Sequence, residues 1–215
     1  MNKITCMLIV LIGSWAICQA QETTVPEGWK VIDSISGNLD NNAINEKVVI
    51  YNTIDSTDFG KHREIRIFKK EKENWVLWEC SRTPLLKSDD GGMMGDPFGG
   101  IEIKNRVLLI HHSGGSSWKW SYTDKYRFQN GQFELIGYTS LNGKPCEEWT
   151  TIDFNISNGQ INFKHEYEDC ENEEQIITKT EKETFYKKGI TLTLEHRRLN
   201  EIEIISPKLK QKFSL

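Results

Sequence analysis

Two Asn-Gly dipeptides, each set between segments in which apolar and polar residues alternate, constrain the fold of this chain more than any other feature. They are Asn130-Gly131 and Asn158-Gly159. Alternation with a period of two is typical of β-strands, and Asn-Gly supplies the positive φ angles that a tight hairpin turn needs. The flanking segments are 125–128 with 132–136 and 152–156 with 160–163. The sequence therefore predicts two antiparallel hairpins.

Further strand pairs extend this pattern along the chain. Segments 63–68 and 75–78 are separated by a turn rich in lysine and glutamate, and 101–103 and 107–110 by Lys-Asn-Arg. Residues 171–188 are charged, but their β-branched and aromatic residues favour a long hairpin arm over a helix. No low-complexity linker interrupts the chain. We therefore predict one all-β domain over 21–215, an antiparallel meander that is propeller-like or a β-sandwich.

The first twenty residues have the pattern of a signal peptide. Lys3 precedes an apolar run over 4–17, and Ala20 is followed by Gln21. This run is too short to span a bilayer, so we predict cleavage after Ala20 and a periplasmic or secreted protein. Lipidation at Cys18 is the alternative, although Ile17 is larger than the small residue that a lipobox has before its cysteine. No second hydrophobic stretch follows, so no transmembrane segment is expected after cleavage.

The net charge argues against one class of partner, and the cysteines indicate where a disulfide can form. The formal net charge is −4 and the lysines are scattered, which argues against nucleic-acid binding. Three cysteines follow the predicted cleavage point. We expect Cys146 and Cys170, which flank strand-like segments, to form a disulfide in an oxidising compartment. Cys80 lies in an alternating apolar run and is expected to be a buried small side chain rather than a nucleophile.

Oxygen-bearing side chains recur at alternate positions within residues 37–50. Asn38, Asp40 and Asn42 are followed by Glu46, and the run Val48-Val49-Ile50 then has the character of a buried strand. This spacing would direct oxygens around a hard cation, with the acidic residue closing the shell. It resembles the calcium loops of FG-GAP or VCBS repeats, the integrin-like units of secreted β-propeller proteins. The resemblance implies a calcium site formed by these four side chains.

Two departures from that pattern predict at most weak calcium binding. Ala43 occupies the sharp-turn position, where glycine is usual, and Asn38 replaces the usual first aspartate. Only Asp40 and Glu46 bring negative charge, and calcium affinity depends on the number of charged ligands. The alternative is a solvated turn that leads into the following strand. The sequence indicates no other cofactor.

Glycine and aromatic residues are concentrated between residues 88 and 122. A glycine-rich loop contains Asp96-Pro97-Phe98, and a second segment contains the adjacent pair His111-His112, then Ser116 and Ser117, and the aromatics Trp118, Trp120 and Tyr122. The Gly-Asp-Pro-Phe segment and the Gly-Gly-Ser-Ser-Trp segment resemble segments of secreted bacterial proteins. That resemblance implies a shared fold and no particular activity.

Two functions compete for this segment. A secreted or periplasmic hydrolase with a site around residues 96–122 would use one of the serines and a histidine, but Gly-Gly-Ser-Ser-Trp is not a nucleophile elbow. A binding surface would use Trp118, Trp120 and Tyr122, which alternate and are predicted to share one strand face. Filling of the core is the alternative role for these rings. We predict a non-enzymatic exported protein that binds a protein or glycan ligand of the cell envelope or exterior. The candidate ligand-binding residues are Asp96, His111, Ser116, Trp118, Trp120 and Tyr122.

Overall fold

Antiparallel strands that pair with their neighbours in sequence form both main sheets of this all-β protein. The computed structural model describes residues 24–171 and 174–215, so the predicted signal peptide, 1–20, lies outside the described residues. The four-stranded sheet has the order β1-β2-β3-β4. Its strands are β1 Lys30–Gly37, β2 Glu46–Thr57, β3 Gly60–Glu71 and β4 Asn74–Ser81. This meander has the strand number of one propeller blade.

The second sheet contains seven strands in the order β11-β10-β9-β8-β7-β6-β5. Its strands are β5 Phe98–Lys104, β6 Val107–Gly115, β7 Lys119–Gln129, β8 Gln132–Lys144, β9 Glu148–Asn155, β10 Gln160–Glu171 and β11 Glu174–Tyr186. Every hairpin predicted from alternation is present, including the arm formed by β10 and β11. The prediction of an all-β antiparallel meander is confirmed.

The two Asn-Gly turns differ in detail. Asn130 and Gly131 both have positive φ, at 53° and 82°, and join β7 to β8 directly. At the other turn only Gly159 has positive φ, at 84°. Four residues separate β9 from β10 there, and the Asn158 side-chain oxygen accepts a hydrogen bond from the Gln160 backbone at 2.8 Å. Because this loop is longer, Asn158 does not adopt the left-handed conformation.

Apolar side chains from both sheets form one buried cluster. The four-stranded sheet contributes Ile50, Ile65 and Ile67, while the seven-stranded sheet contributes residues such as Leu108 and Phe154. All five are at most 1% exposed. At roughly 25 cal/mol per Å² of apolar surface buried, this shared cluster is a main source of stability. It also fixes the position of the seven-stranded sheet, whose face carries the candidate site.

The chain after β11 forms a segment, 187–215, that we call the C-terminal strap. It hydrogen-bonds to β8 through Leu192 and Leu194, at 2.8 and 2.9 Å. It ends in a two-stranded sheet, β12 Glu203–Ile205 with β13 Lys212–Ser214. Leu215 is fully buried and pairs through its backbone with Ile202, because the strap closes an edge of the shared apolar cluster.

The predicted disulfide is confirmed. Cys146 and Cys170 are bonded, with their Cα atoms 5.1 Å apart. The bond ties the turn between β8 and β9 to the outer part of the β10–β11 arm. Cys80 is half-buried rather than buried as expected, because β4 is half-exposed along most of its length.

Candidate functional site

A cleft of about 600 Å³ lies on one face of the seven-stranded sheet, between the 86–90 loop and the C-terminal strap. Its floor is formed by β7, β8, β9 and β10, whose register places side chains in rows across the strands. One row contains Trp120, Asn142 and Thr150, and the next contains Tyr122 and Ser140. Residues paired across antiparallel strands share a face, so the alternation of each strand determines which side chains reach the cleft.

Stacked rings form the apolar part of the floor. Tyr122 stacks on Trp120 and on Tyr138, each with ring centroids 6.0 Å apart. His112 stacks beside Tyr122 on the same sheet face, with ring centroids 5.0 Å apart. Tyr122 and Tyr138 are buried and Trp120 is half-buried. Burial raises the pKa of both tyrosines, so both remain neutral donors at physiological pH. The result is a rigid aromatic surface from which the Trp120 ring is the most accessible.

Three side-chain amides surround this aromatic surface. Asn142 projects from β8, while Asn200 and Gln211 project from the strap. Within the described residues none of these amides makes a side-chain hydrogen bond to protein. Each offers two donors and one acceptor to a ligand. The charged lining residues are already engaged, because Asp90 accepts from the Lys87 backbone at 2.9 Å and Lys212 pairs with Glu203.

A buried ion pair holds the strap against the sheet at this cleft. The Arg197 guanidinium donates to both carboxylate oxygens of Asp124 on β7, at 3.0 and 3.3 Å, and to the Arg198 carbonyl. Both side chains are about 1% exposed. The Tyr126 hydroxyl also donates to Asp124 at 3.2 Å. Bidentate geometry and additional partners are what make a buried pair tolerable. This contact was not predicted from the sequence.

The structure places two of the six predicted ligand-binding residues in the cleft. Trp120 and Tyr122 line it. Trp118 does not share their strand face as predicted, because β7 begins at Lys119 and Trp118 belongs to the preceding turn, where it is 42% exposed. Ser116 lies in the same turn and is exposed, with its backbone N–H donating to the Trp118 carbonyl.

His111 faces away from the cleft, and His112 takes the inner position. Adjacent residues of a strand point to opposite faces, and the register pairs His111 with Thr123 but His112 with Tyr122. His112 is 1% exposed, and its Nε2 accepts from the Leu86 backbone at 3.4 Å. Burial, together with the positive charge of Arg63, lowers the pKa of His112 to about 3. His112 is therefore a buried, neutral support at the side of the floor.

Asp96 serves a structural contact outside the cleft. Its carboxylate binds the buried Arg63 guanidinium of β3 at 2.5 Å and accepts from the Phe98 backbone at 2.8 Å. Arg63 also donates to Asn52. This network joins the two sheets. Asp96, His111 and Ser116 therefore lie outside the cleft that Trp120 and Tyr122 line, and the hydrolase site around residues 96–122 stays a prediction.

The side chains of the predicted calcium loop bond within the loop. Asp40 accepts from the Asn42 backbone and side chain at 3.0 and 2.8 Å, Asn42 accepts from Ile44 at 2.6 Å, and Asn38 accepts from Asn41 at 3.0 Å. The left-handed residue is Asn41, with φ 75°, rather than Ala43. The inference that Ala43 strains the turn was therefore wrong. Asparagine tolerates this conformation better than alanine.

Glu46 is the buried member of the same loop. One carboxylate oxygen accepts from the Leu39 backbone at 2.6 Å, while Oε1 is buried without a hydrogen-bond partner in the described part of the chain. Burial raises the pKa of Glu46, with the neighbouring Asp40 adding to the effect. Glu46 is thus the loop side chain with an acceptor still open.

Sequence reasoning missed a hydrogen-bonded series beside the cleft. The Thr150 hydroxyl lies 2.8 Å from His165 Nδ1, and His165 Nε2 lies 3.1 Å from a Glu148 oxygen. His165 is 5% exposed and pairs with Thr150 across β9 and β10. Along the chain, His165 is fifteen positions from Thr150 and seventeen from Glu148. Only the strand register, which no local motif encodes, brings them together.

Comparison with protein-family models, curated proteins and solved structures finds no match. Over residues 24–171 and 174–215, no helix is long and apolar enough to cross a membrane. The same residues contain no group of three or more histidine, cysteine or acidic side chains placed to hold a metal ion. Functional inference therefore starts from the cleft itself.

Proposed function

We propose that this protein is exported and binds a glycan in the cleft between the seven-stranded sheet and the C-terminal strap. One observation carries the proposal: the Trp120 ring and its stacked partners lie beside the uncommitted amides of Asn142, Asn200 and Gln211. Ligand sites of this volume combine apolar walls with a few polar groups that fix orientation. A sugar offers a C–H face to the ring and hydroxyl groups to the amides.

The charge of the cleft favours a neutral ligand. Asp90 and Lys212 are the charged lining residues, and each already has a protein partner. An acidic glycan would need an unpaired cation, and a peptide segment would need backbone partners at an open strand edge. The four strands that make up the floor are all paired on both sides. A neutral oligosaccharide is therefore the ligand class that these groups suit best.

Calorimetric titration of the purified protein with cellohexaose, xylohexaose and chitohexaose tests this proposal. We expect one of them to bind, and Trp120→Ala to lower the affinity at least about thirtyfold, equivalent to about 2 kcal/mol. Trp118→Ala is the matched control, since it removes an exposed indole outside the cleft. Loss of binding in Trp118→Ala alone would move the site to the turn. If none of these sugars binds, and an envelope protein binds in a way that depends on Trp120, the ligand is a protein and not a glycan.

Export is tested separately by intact-mass analysis of the protein isolated from its cell. We expect a chain that begins at Gln21, because Ala20 ends an apolar run of signal-peptide length. A mass that includes diacylglycerol on Cys18 would instead indicate a lipid-anchored protein.

A further inference from the structure

We propose that Thr150, His165 and Glu148 form a nucleophile, base and orienting carboxylate that hydrolyse a carboxylic ester bound in the cleft. Thr150 lines the cleft, His165 is buried directly behind it, and Glu148 is half-exposed beyond His165. The two hydrogen bonds, at 2.8 and 3.1 Å, are within the distances that link a nucleophile to its base and that base to its orienting group.

The direction of the hydrogen bonds suits proton transfer. With Glu148 ionised, His165 Nε2–H donates to the carboxylate, which leaves Nδ1 as an acceptor for the Thr150 hydroxyl hydrogen. The ring is held in place by stacking on Phe163 and by an edge contact with Tyr167, whose centroid is 4.4 Å away. A base whose tautomer and orientation are fixed in this way needs little rearrangement before it accepts a proton.

Asn142 supplies the fourth part of the site. It is the cross-strand partner of Thr150, it lines the cleft, and its side-chain amide makes no hydrogen bond to another described residue. Side chains paired directly across antiparallel strands have Cβ atoms about 5 Å apart, so the amide reaches a carbonyl oxygen whose carbon is near the Thr150 hydroxyl. An uncommitted amide at this place stabilises the negative charge that develops on that oxygen.

The reaction proceeds in two steps. The Thr150 oxygen bonds to the acyl carbon while its proton moves to His165. The bond from the acyl carbon to the alcohol oxygen then breaks, and the alcohol leaves with that proton. Water next gives a proton to His165 and its oxygen to the acyl carbon. The carboxylic acid is released when the proton returns to Thr150. That the ester is an O-acylated sugar rests on the glycan binding proposed above.

A second threonine–histidine pair on the opposite sheet face provides the matched control. Thr123 Oγ1 lies 2.9 Å from His111 Nδ1, but the nearest carboxylate oxygen, from Glu102, is 3.6 Å from His111 Nε2, which has no hydrogen-bond partner in the described chain. Thr123 does not line the cleft. The same two residue types are therefore present without the orienting hydrogen bond or a facing cavity.

Hydrolysis of 4-methylumbelliferyl acetate by the whole protein tests the proposal. We expect turnover that falls at least about a hundredfold in Thr150→Val and His165→Gln, the usual contribution of a positioned base. Thr150→Ser should retain activity and Thr123→Val should equal the wild type. Peptide mapping after treatment with a fluorophosphonate should place the adduct on Thr150. A wild-type rate no higher than that of Thr150→Val, or an equal loss in Thr123→Val, would overturn the assignment.

Calorimetric sugar titration of the wild type separates this proposal from the glycan-binding proposal. If the wild type binds one of the three hexasaccharides but hydrolyses no ester, the catalytic assignment fails and glycan binding stands. Ester hydrolysis that depends on Thr150 in a protein without sugar affinity would support the catalytic assignment alone.

Discussion

The cleft and the loop at 38–46 are both rich in polar side chains, but they use them in opposite ways. In the loop, Asn38, Asp40 and Asn42 bond to one another and to the nearby backbone. In the cleft, the side-chain amides of Asn142 and Gln211 make no hydrogen bond to another described residue. A polar group already satisfied by protein has less to gain from a ligand. Open hydrogen-bonding capacity, rather than polar composition, therefore distinguishes the stronger candidate site.

The largest effect is expected from removing the ion pair that holds the cleft wall. Arg197→Met leaves the Asp124 carboxylate buried without its partner, which should lower the free energy of unfolding by about 3–5 kcal/mol. Urea unfolding measures this change. Asp124→Asn in the same background should recover part of the loss, because it removes the unpaired charge. A loss below about 1 kcal/mol, typical of an exposed pair, would mean that the wall does not depend on this contact.

The disulfide at the outer end of the floor should have the next largest effect. It closes a loop with a sequence separation of 24 residues, for which chain entropy gives about 3 kcal/mol. The Cys146→Ser, Cys170→Ser double variant should lose that much stability in urea unfolding. Cys80→Ser is the control, and we expect it to have a much smaller effect. If both variants lose the same amount, the loss is not due to the cross-link.

His112, buried beside Tyr122, should make stability fall on acidification. Its folded-state pKa of about 3 lies below the usual 6.5, so its contribution is complete above pH 6.5 and is lost as the pH falls toward 3. Between pH 6.5 and 5 the loss should be about 2 kcal/mol, since each pKa unit corresponds to 1.36 kcal/mol. In urea unfolding, the stability of His112→Gln should fall by about 2 kcal/mol less than that of the wild type between pH 6.5 and 5. Equal slopes for variant and wild type would show that other groups control this pH range.

Two asparagine substitutions test the comparison directly. Asn42→Ala removes bonds to Asp40 and Ile44 and should cost about 1 kcal/mol of stability, while leaving sugar binding unchanged. Asn142→Ala removes no hydrogen bond to protein and should leave the free energy of unfolding nearly unchanged, but it should weaken sugar binding. Urea unfolding gives the stability of each variant, and calorimetric titration gives its sugar affinity. If Asn142→Ala proves the more destabilising, the contrast between the two regions is wrong.

The smallest effect concerns calcium. We expect no change in melting temperature at micromolar calcium and at most a small rise at millimolar calcium, because only Asp40 and Glu46 bring charge. The raised pKa of Glu46 means that stability is lost as the pH rises through that pKa, and a cation at its open oxygen would offset this loss. Asp40→Ala should abolish any rise. Ala43→Gly should not enhance it, since Ala43 is not left-handed. A large rise in melting temperature at micromolar calcium would make the loop a stronger candidate binding site than the cleft.

Local sequence patterns predicted most of the strands, because hairpin pairing is a short-range property. Asn130-Gly131 and the alternation around it specify β7 and β8 almost completely. The pairing of Cys146 with Cys170 followed from their position beside strand-like segments. The same alternation places His111 and His112 on opposite faces of β6. It failed at Trp118, where the strand begins one residue later than the pattern suggested.

The site itself was only partly predictable. Trp120 and Tyr122 were identified from their spacing, but the walls around them come from the 86–90 loop and a strap about eighty residues further along the chain. Thr150 and His165 face each other because of a register fixed by the whole β9–β10 pair. Packing of distant segments determines such contacts, and no short pattern records them. Likewise, no sequence pattern around Arg197 predicted that its side chain would be buried.

The strictly sequential strand order of both sheets has a consequence for how the protein folds. Each hairpin closes a short loop, so pairing can spread from turn to turn at little entropic cost. Arg197 must instead find Asp124 across 73 residues, and the Leu194 carbonyl must find Ser81 across 113. The strap is therefore expected to dock late, on a seven-stranded sheet that has already formed. During refolding, backbone amides of β7 and β8 should become protected from hydrogen exchange before those of the strap, so the cleft acquires its second wall in the final phase.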